Sequence, residues 1–137
     1  MRIASDYDMK NFKNIPNSRK VMIIEDEEDL LILYKDYLRK NGCEVMATST
    51  TAEEILLDYK SYRPDFLIMD YKLPGSKNGL QAAKEIFVAD PRAKIIILTA
   101  FDEVKQEMKR DKYFEGKDIK IIIKPIQMSQ LKILVTE

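Results

Sequence analysis

A chain of 137 residues with 45% apolar and 34% charged side chains has the size and mixture of one soluble domain. Its 23 lysines and arginines balance 23 aspartates and glutamates, so no bulk charge draws it to nucleic acid or an anionic membrane, and no apolar run approaches a bilayer span. It has no histidine and a single cysteine, Cys43, which excludes Ser-His-Asp and Cys-His catalysis, histidine-ligated zinc, a phosphohistidine on this chain and an internal disulfide.

The lone thiol, and an amino-terminal stretch (MRIASDYDMKNFKNIPNSRK) without the apolar middle of a signal peptide, suit a cytoplasmic protein. Cys43 reads as a small core residue at the start of a strand. Residues 1–19 are polar and aperiodic and are expected to form a flexible tail, leaving 20–137 as the domain.

From residue 20 onward, short apolar runs alternate with helical patterns five times. Val21-Met22-Ile23-Ile24 is a first strand closed by Glu25-Asp26. A helix follows with Leu30, Leu33, Tyr34, Tyr37 and Leu38 expected on one face. Glu27, Glu28 and Asp29 suit its amino end and Arg39 and Lys40 its carboxyl end, and Gly42 stops it. Residues 43–47 form a second, weaker strand. The stretch 49–54 (Ser-Thr-Thr-Ala-Glu-Glu) predicts a capping box for a helix carrying Ile55, Leu56 and Tyr59, broken by Arg63-Pro64.

Phe66-Leu67-Ile68-Met69 is a third strand that ends in Asp70 where a turn former is ordinary. A helix begins at Asn78 or Gly79, buries Leu80, Ala83, Ile86 and Phe87, and ends at Asp90-Pro91. The fourth strand, 94–98, leads into Thr99-Ala100. A helix of thin apolar content, about 102–112, offers only Val104 and Met108 and is expected to be mobile. The fifth strand, 119–123, precedes Lys124-Pro125. A last helix runs from about Met128 and buries Leu131, Leu134 and Val135.

Strands apolar on both faces and joined by helices predict an α/β fold, a doubly wound parallel sheet covered on both sides. Ligands of such sheets bind at the carboxyl ends of the strands. Four of the five ends carry polar groups: Glu25-Asp26, Asp70, Thr99-Ala100 and Lys124. Each could be a turn or cap residue if taken alone. Together they gather three carboxylates, a hydroxyl and an ammonium on one edge. At about 5 Å and an effective dielectric of 20, each pair of carboxylates costs roughly 3 kcal/mol, so protons or a cation must settle among them. An all-oxygen set with few protein ligands suits Mg²⁺, and Lys124 and Thr99 complement a phosphoryl group.

The motifs Ile23-Ile24-Glu25-Asp26-Glu27, Phe66 to Gly75 (FLIMDYKLPG), Ile96-Ile97-Leu98-Thr99-Ala100 and Ile122-Ile123-Lys124-Pro125, in this order, resemble the receiver domain of two-component response regulators. The resemblance covers residues 20 to about 135. It implies a flavodoxin-like (βα)5 sandwich with strand order 2-1-3-4-5. It implies that Asp70 takes a phosphoryl group from a phosphohistidine on a sensor histidine kinase or phosphotransfer protein. Asp26 and Asp70 would ligate Mg²⁺ directly, Glu25 through water, and Lys72 by its backbone carbonyl. Thr99 and the Ala100 amide would hold phosphoryl oxygens, Lys124 would pair with the phosphoryl group, and the Lys124-Pro125 bond would be cis. The surface of the fourth helix, fifth strand and last helix would signal to a downstream effector not named by the sequence, and a phosphorylation-dependent dimer is compatible with it.

Some positions depart from the family pattern. Asn78-Gly79 comes one residue late after Asp70, Thr99 to Lys124 is about three residues longer than usual, and Ile121 stands where an aromatic is usual. Lys72 and Phe101 occupy the positions that tune loss of the phosphoryl group, and Phe101 is expected to shield it from water. The chain is expected either to stand alone or to be part of a longer regulator, with no direct DNA binding. The competing readings are a pseudo-receiver that is never phosphorylated and an aspartyl-nucleophile phosphohydrolase. The second is disfavoured because Lys72 stands where that class needs an acid.

Overall fold

The computed structural model describes residues 18–49 and 51–136. Five parallel strands, β1 (Lys20–Ile24), β2 (Glu44–Ser49), β3 (Phe66–Asp70), β4 (Lys94–Thr99) and β5 (Asp118–Ile123), form one sheet in the order β2-β1-β3-β4-β5. The connecting helices are α1 (Glu28–Lys40), α2 (Ile55–Tyr62), α3 (Gly79–Ala89), α4 (Glu103–Arg110) and α5 (Met128–Thr136), with a 3-10 turn at Lys112–Phe114. This is the doubly wound parallel sheet that the alternation of strands and helices predicts, in the flavodoxin-like order that the family resemblance implies.

Alternation along each central strand divides the core in two. Met22, Ile24, Leu67, Met69, Ile95 and Ile97 face α2, α3 and α4, where they meet Ile55, Ile86 and Phe87. Val21, Ile23, Phe66, Ile68, Ile96 and Leu98 face α1 and α5, where they meet Tyr34, Leu38, Leu131 and Val135. Burial on both faces explains why β1, β3 and β4 are unbroken apolar runs.

Four local expectations are corrected. Leu33 is 50% exposed, because the inward stripe of α1 runs through Leu30, Leu31, Tyr34 and Leu38 and leaves position 33 on the outer side. The N-cap of α2 is Glu54, without a side-chain bond, and Glu53 accepts the Ser76 amide at 3.2 Å, while Thr50 of the expected capping box lies outside the described residues. The box appears at α3, where Asn78 and Gln81 cap each other's amides at 2.9 and 2.8 Å. β2 runs on to Ser49, so its carboxyl end is polar too. Leu134 is only half-buried. The expectation of a tail over residues 1–19 falls largely outside the described residues. Of the two described, Ser18 donates its hydroxyl to the Gly42 carbonyl and Arg19 accepts the Glu44 amide.

Candidate functional site

The register of the sheet assembles the site. Ile24 lies beside Met69, Asp70 beside Leu98, and Thr99 beside Ile123, so the last residues of β1, β3, β4 and β5 stand along one edge. Asp70 continues the parity of Ile68 and therefore points toward the side of α1 and α5. Glu25 and Lys124 follow Ile23 and Ile122 by two residues, which directs them to that same side.

Glu25, Asp26 and Asp70 each bring a carboxylate oxygen within 4.8 Å of the others. Glu25 is 1% and Asp70 8% exposed, whereas Asp26 opens to solvent. The Lys124 ammonium stands 3.1 Å from Glu25 Oε1 and 3.5 Å from Asp70 Oδ2. The other Glu25 oxygen accepts the Glu27 amide at 3.2 Å, on the turn into α1. Lys124 is held from behind, its own amide donating to the Thr99 carbonyl at 2.7 Å, and the Lys124-Pro125 bond is cis.

The electrostatics follow from this crowding. Burial pushes the Asp70 carboxyl up to about 7, helped by the negative charge of Glu25 and by hydrogen bonds with Glu25 and Asp26, while Lys124 pulls it down. Burial opposes the charge on Lys124, but its hydrogen bond to Glu25 and the pull of Asp70 and Glu25 outweigh that and raise its pKa. The cluster therefore holds more negative charge than one ammonium can offset. Its all-oxygen donor set, with an exposed side at Asp26, fits a small hard divalent cation such as Mg²⁺.

The remaining expected site residues flank this cluster. Thr99 is buried, and its hydroxyl accepts the Phe101 amide at 3.1 Å. Ala100 is exposed on the turn after β4. Lys72 is exposed two residues past Asp70, and its ammonium lies over the Phe101 ring at 5.3 Å from the centroid. Phe101 is 45% exposed, between β4 and α4. A separate groove of about 450 Å³, lined by Tyr59, Lys60, Arg63, Pro64, Ala89 and Asp90, lies at the other edge of the sheet and takes no part in this chemistry.

Two residues escaped sequence reasoning. Tyr34, on the inward stripe of α1, is buried on the same side of the sheet as Asp70. Burial raises its hydroxyl pKa, Lys124 lowers it, and Glu25 and Asp70 raise it further. Its helical spacing signals only a core position. Tyr71 donates its hydroxyl to Glu107 on α4 at 3.0 Å, a pairing across 36 residues that no local pattern announces.

Known proteins share this fold. Residues 21–136 match the response regulator receiver domain family. The chemotaxis protein CheY of Thermotoga maritima is 34% identical over 113 residues, covering 82% of this chain and 91% of the relative. CheY of Bacillus subtilis is 33% identical over 115 residues, covering 83% and 92%. The crystal structure of a response regulator receiver domain protein from Clostridium thermocellum superposes with a TM-score of 0.74 at 25% identity, covering 85% of this chain and 90% of that one. With its acidic cluster at the carboxyl edge of a 2-1-3-4-5 sheet, the chain belongs to the response regulator receiver domain family.

Proposed function

We propose that the chain is a phosphoacceptor of two-component signalling, with Asp70 as the residue that is phosphorylated. One observation carries this reading: three carboxylates within 4.8 Å of one another, faced by the Lys124 ammonium, at the edge where a doubly wound sheet binds its ligands. An Asp70 oxygen attacks the phosphorus of a phosphohistidine on a separate kinase or phosphotransfer protein. The phosphorus–nitrogen bond breaks, the imidazole leaves and takes up a proton, and an acyl phosphate remains on Asp70. The absence of histidine in this chain agrees with a donor on another protein.

Glu25, Asp26 and Asp70, with the Lys72 carbonyl, would hold Mg²⁺, which when bound neutralises phosphoryl oxygens and relieves the repulsion among the carboxylates. Lys124 stabilises negative charge on the transferred group, and Thr99 and the Ala100 amide orient its oxygens. The only reactions catalysed are the chain's own phosphorylation and dephosphorylation. The output surface is α4, β5 and α5, and it acts on a downstream effector. The cytoplasm is the proposed location, which the buried single thiol Cys43 supports; no helix of the described residues is long and apolar enough to cross a membrane.

Acetyl phosphate with Mg²⁺ tests the reading. Intact mass spectrometry is expected to record the gain of one phosphoryl group, abolished by Asp70→Asn and by removal of Mg²⁺. A chain that gains none, and whose NMR spectrum ignores Mg²⁺, is instead a pseudo-receiver acting as an interaction module.

A further inference from the structure

Helix α4 has little apolar hold on the domain. Val104 is its one buried residue, and Met108 packs at the edge of the same core. So small an apolar contact cannot by itself offset the entropy of ordering eight residues. The position of α4 therefore depends on polar ties, and two of these start at the site. The first is the Thr99 hydroxyl, which accepts the Phe101 amide at 3.1 Å and shapes the turn that leads into α4. The second is the Tyr71 hydroxyl, which donates to Glu107 Oε1 in the body of the helix at 3.0 Å.

Tyr71 is unusually well placed to sense Asp70, its covalent neighbour. Its amide donates to the Leu98 carbonyl at 2.9 Å, one residue before Thr99, and its carbonyl accepts the Gly79 amide at 2.6 Å at the start of α3. Its hydroxyl also accepts the Asn78 side-chain amide at 3.3 Å. The residue that follows the acceptor is thus bonded to β4, α3 and α4 together. Movement of the Asp70 peptide must reach at least one of them.

We infer that the Tyr71–Glu107 hydrogen bond relays the state of Asp70 to α4, holding the helix in its unmodified position and releasing it when a phosphoryl group is present. This rests on the phosphoacceptor reading above. The phosphoryl group draws the Thr99 hydroxyl as a donor, and a side chain that turns toward it carries the oxygen away from the Phe101 amide it accepts. The turn into α4 then loosens. As the Asp70 peptide shifts, the exposed bond from its neighbour Tyr71 to Glu107 breaks, and the weakly packed helix is released. Bistability of this kind needs a weakly packed element tied at two points, which α4 is.

Heteronuclear NMR of the full chain with beryllofluoride and Mg²⁺, as a phosphoryl mimic, tests the relay in the parent, Tyr71→Phe and Glu107→Ala. Signals at Asp70, Thr99 and Lys124 are expected to shift in all three proteins. Residues 103–110 are expected to shift in the parent. In both variants their free-state signals should already lie toward the parent's bound positions, with the remaining response smaller by roughly threefold or more. Glu107→Ala leaves the Tyr71–Asn78 contact intact, so it separates the relay from any disturbance of the loop before α3. An α4 response equal to the parent's in Glu107→Ala overturns the relay while leaving phosphorylation standing. A parent that shows no shift even at Asp70, Thr99 and Lys124 overturns the phosphoacceptor reading and the relay together.

Discussion

The Lys124 ammonium lies closer to Glu25 than to Asp70, at 3.1 Å against 3.5 Å. Glu25 is the more deeply buried carboxylate, and a buried charge without a paired cation is costly, so it competes with Asp70 for the one ammonium. Glu25→Gln should therefore release Lys124 toward Asp70 and bring the Asp70 carboxyl below about 7. Lys124→Ala should raise it further. Carbon-detected NMR titration of the Asp70 carboxyl in magnesium-free protein reads both shifts, and coincident curves for parent and variants would contradict this account of the cluster.

The raised Asp70 pKa also sets a pH dependence of stability. Its folded value, about 7, exceeds the ordinary 3.8, so between these values the folded state binds the proton more tightly than the unfolded chain. The contribution is fully favourable below about pH 4 and is lost as pH rises through 7. At about 1.4 kcal/mol per pKa unit, this one group destabilises the magnesium-free protein by roughly 2–4 kcal/mol at pH 8 relative to pH 4. Urea unfolding at several pH values should show that decline in the parent, a much weaker one in Asp70→Asn, and recovery at pH 8 on adding Mg²⁺. Parallel pH profiles for the parent and Asp70→Asn would sink the prediction.

The strands and the acid edge were legible for a simple reason. A strand buried on both faces must be a continuous apolar run, so the polar residue that ends it marks the sheet's carboxyl edge, as at Ile24-Glu25 and Met69-Asp70. Helix details were harder to read. Leu33 and Leu31 are equally apolar, and only packing against β1 and α5 decides which turns inward. The motif at 49–54 has the composition of a capping box, yet Glu53 is drawn to the amide of Ser76, on a loop with no signal near residue 53. The pairing of Lys124 with Glu25 spans 99 residues, and sequence supplies the two charges without their distance.

Lys72 and Phe101 meet on the loops after β3 and β4, where together they would cover the proposed acyl phosphate. The Lys72 ammonium sits 5.3 Å from the ring centroid, and both side chains are exposed enough to swing. A cation on an aromatic face at an exposed site is worth about 0.5–1 kcal/mol, so the cover is weak but populated. Phe101→Ala should admit water and hasten loss of the phosphoryl group by roughly fivefold, the change that about 1 kcal/mol of barrier gives. Radiolabel retention on parent and variant measures it, and equal decay rates would leave Phe101 as a packing residue of the α4 turn.

Gly79 is a position beside the site where backbone leaves no room for a side chain. It opens α3 directly behind the acceptor, and a Cβ there would meet the Tyr71 Cα at 2.8 Å and the Asp70 carbonyl oxygen at 2.9 Å. Both are backbone atoms and cannot rotate away. Alanine would favour the helix by about 1 kcal/mol through propensity alone. The clash opposes this, and overpacking of this kind costs about 1–3 kcal/mol, so the net effect of Gly79→Ala should be destabilising. Relief requires the strand end to move, which displaces Asp70 from Glu25 and Asp26. Urea unfolding should show the lost stability, and a calorimetric Mg²⁺ titration should show weaker binding than the parent. A variant as stable as the parent with unchanged Mg²⁺ affinity would mean that α3 can retreat from β3 without disturbing the carboxylates.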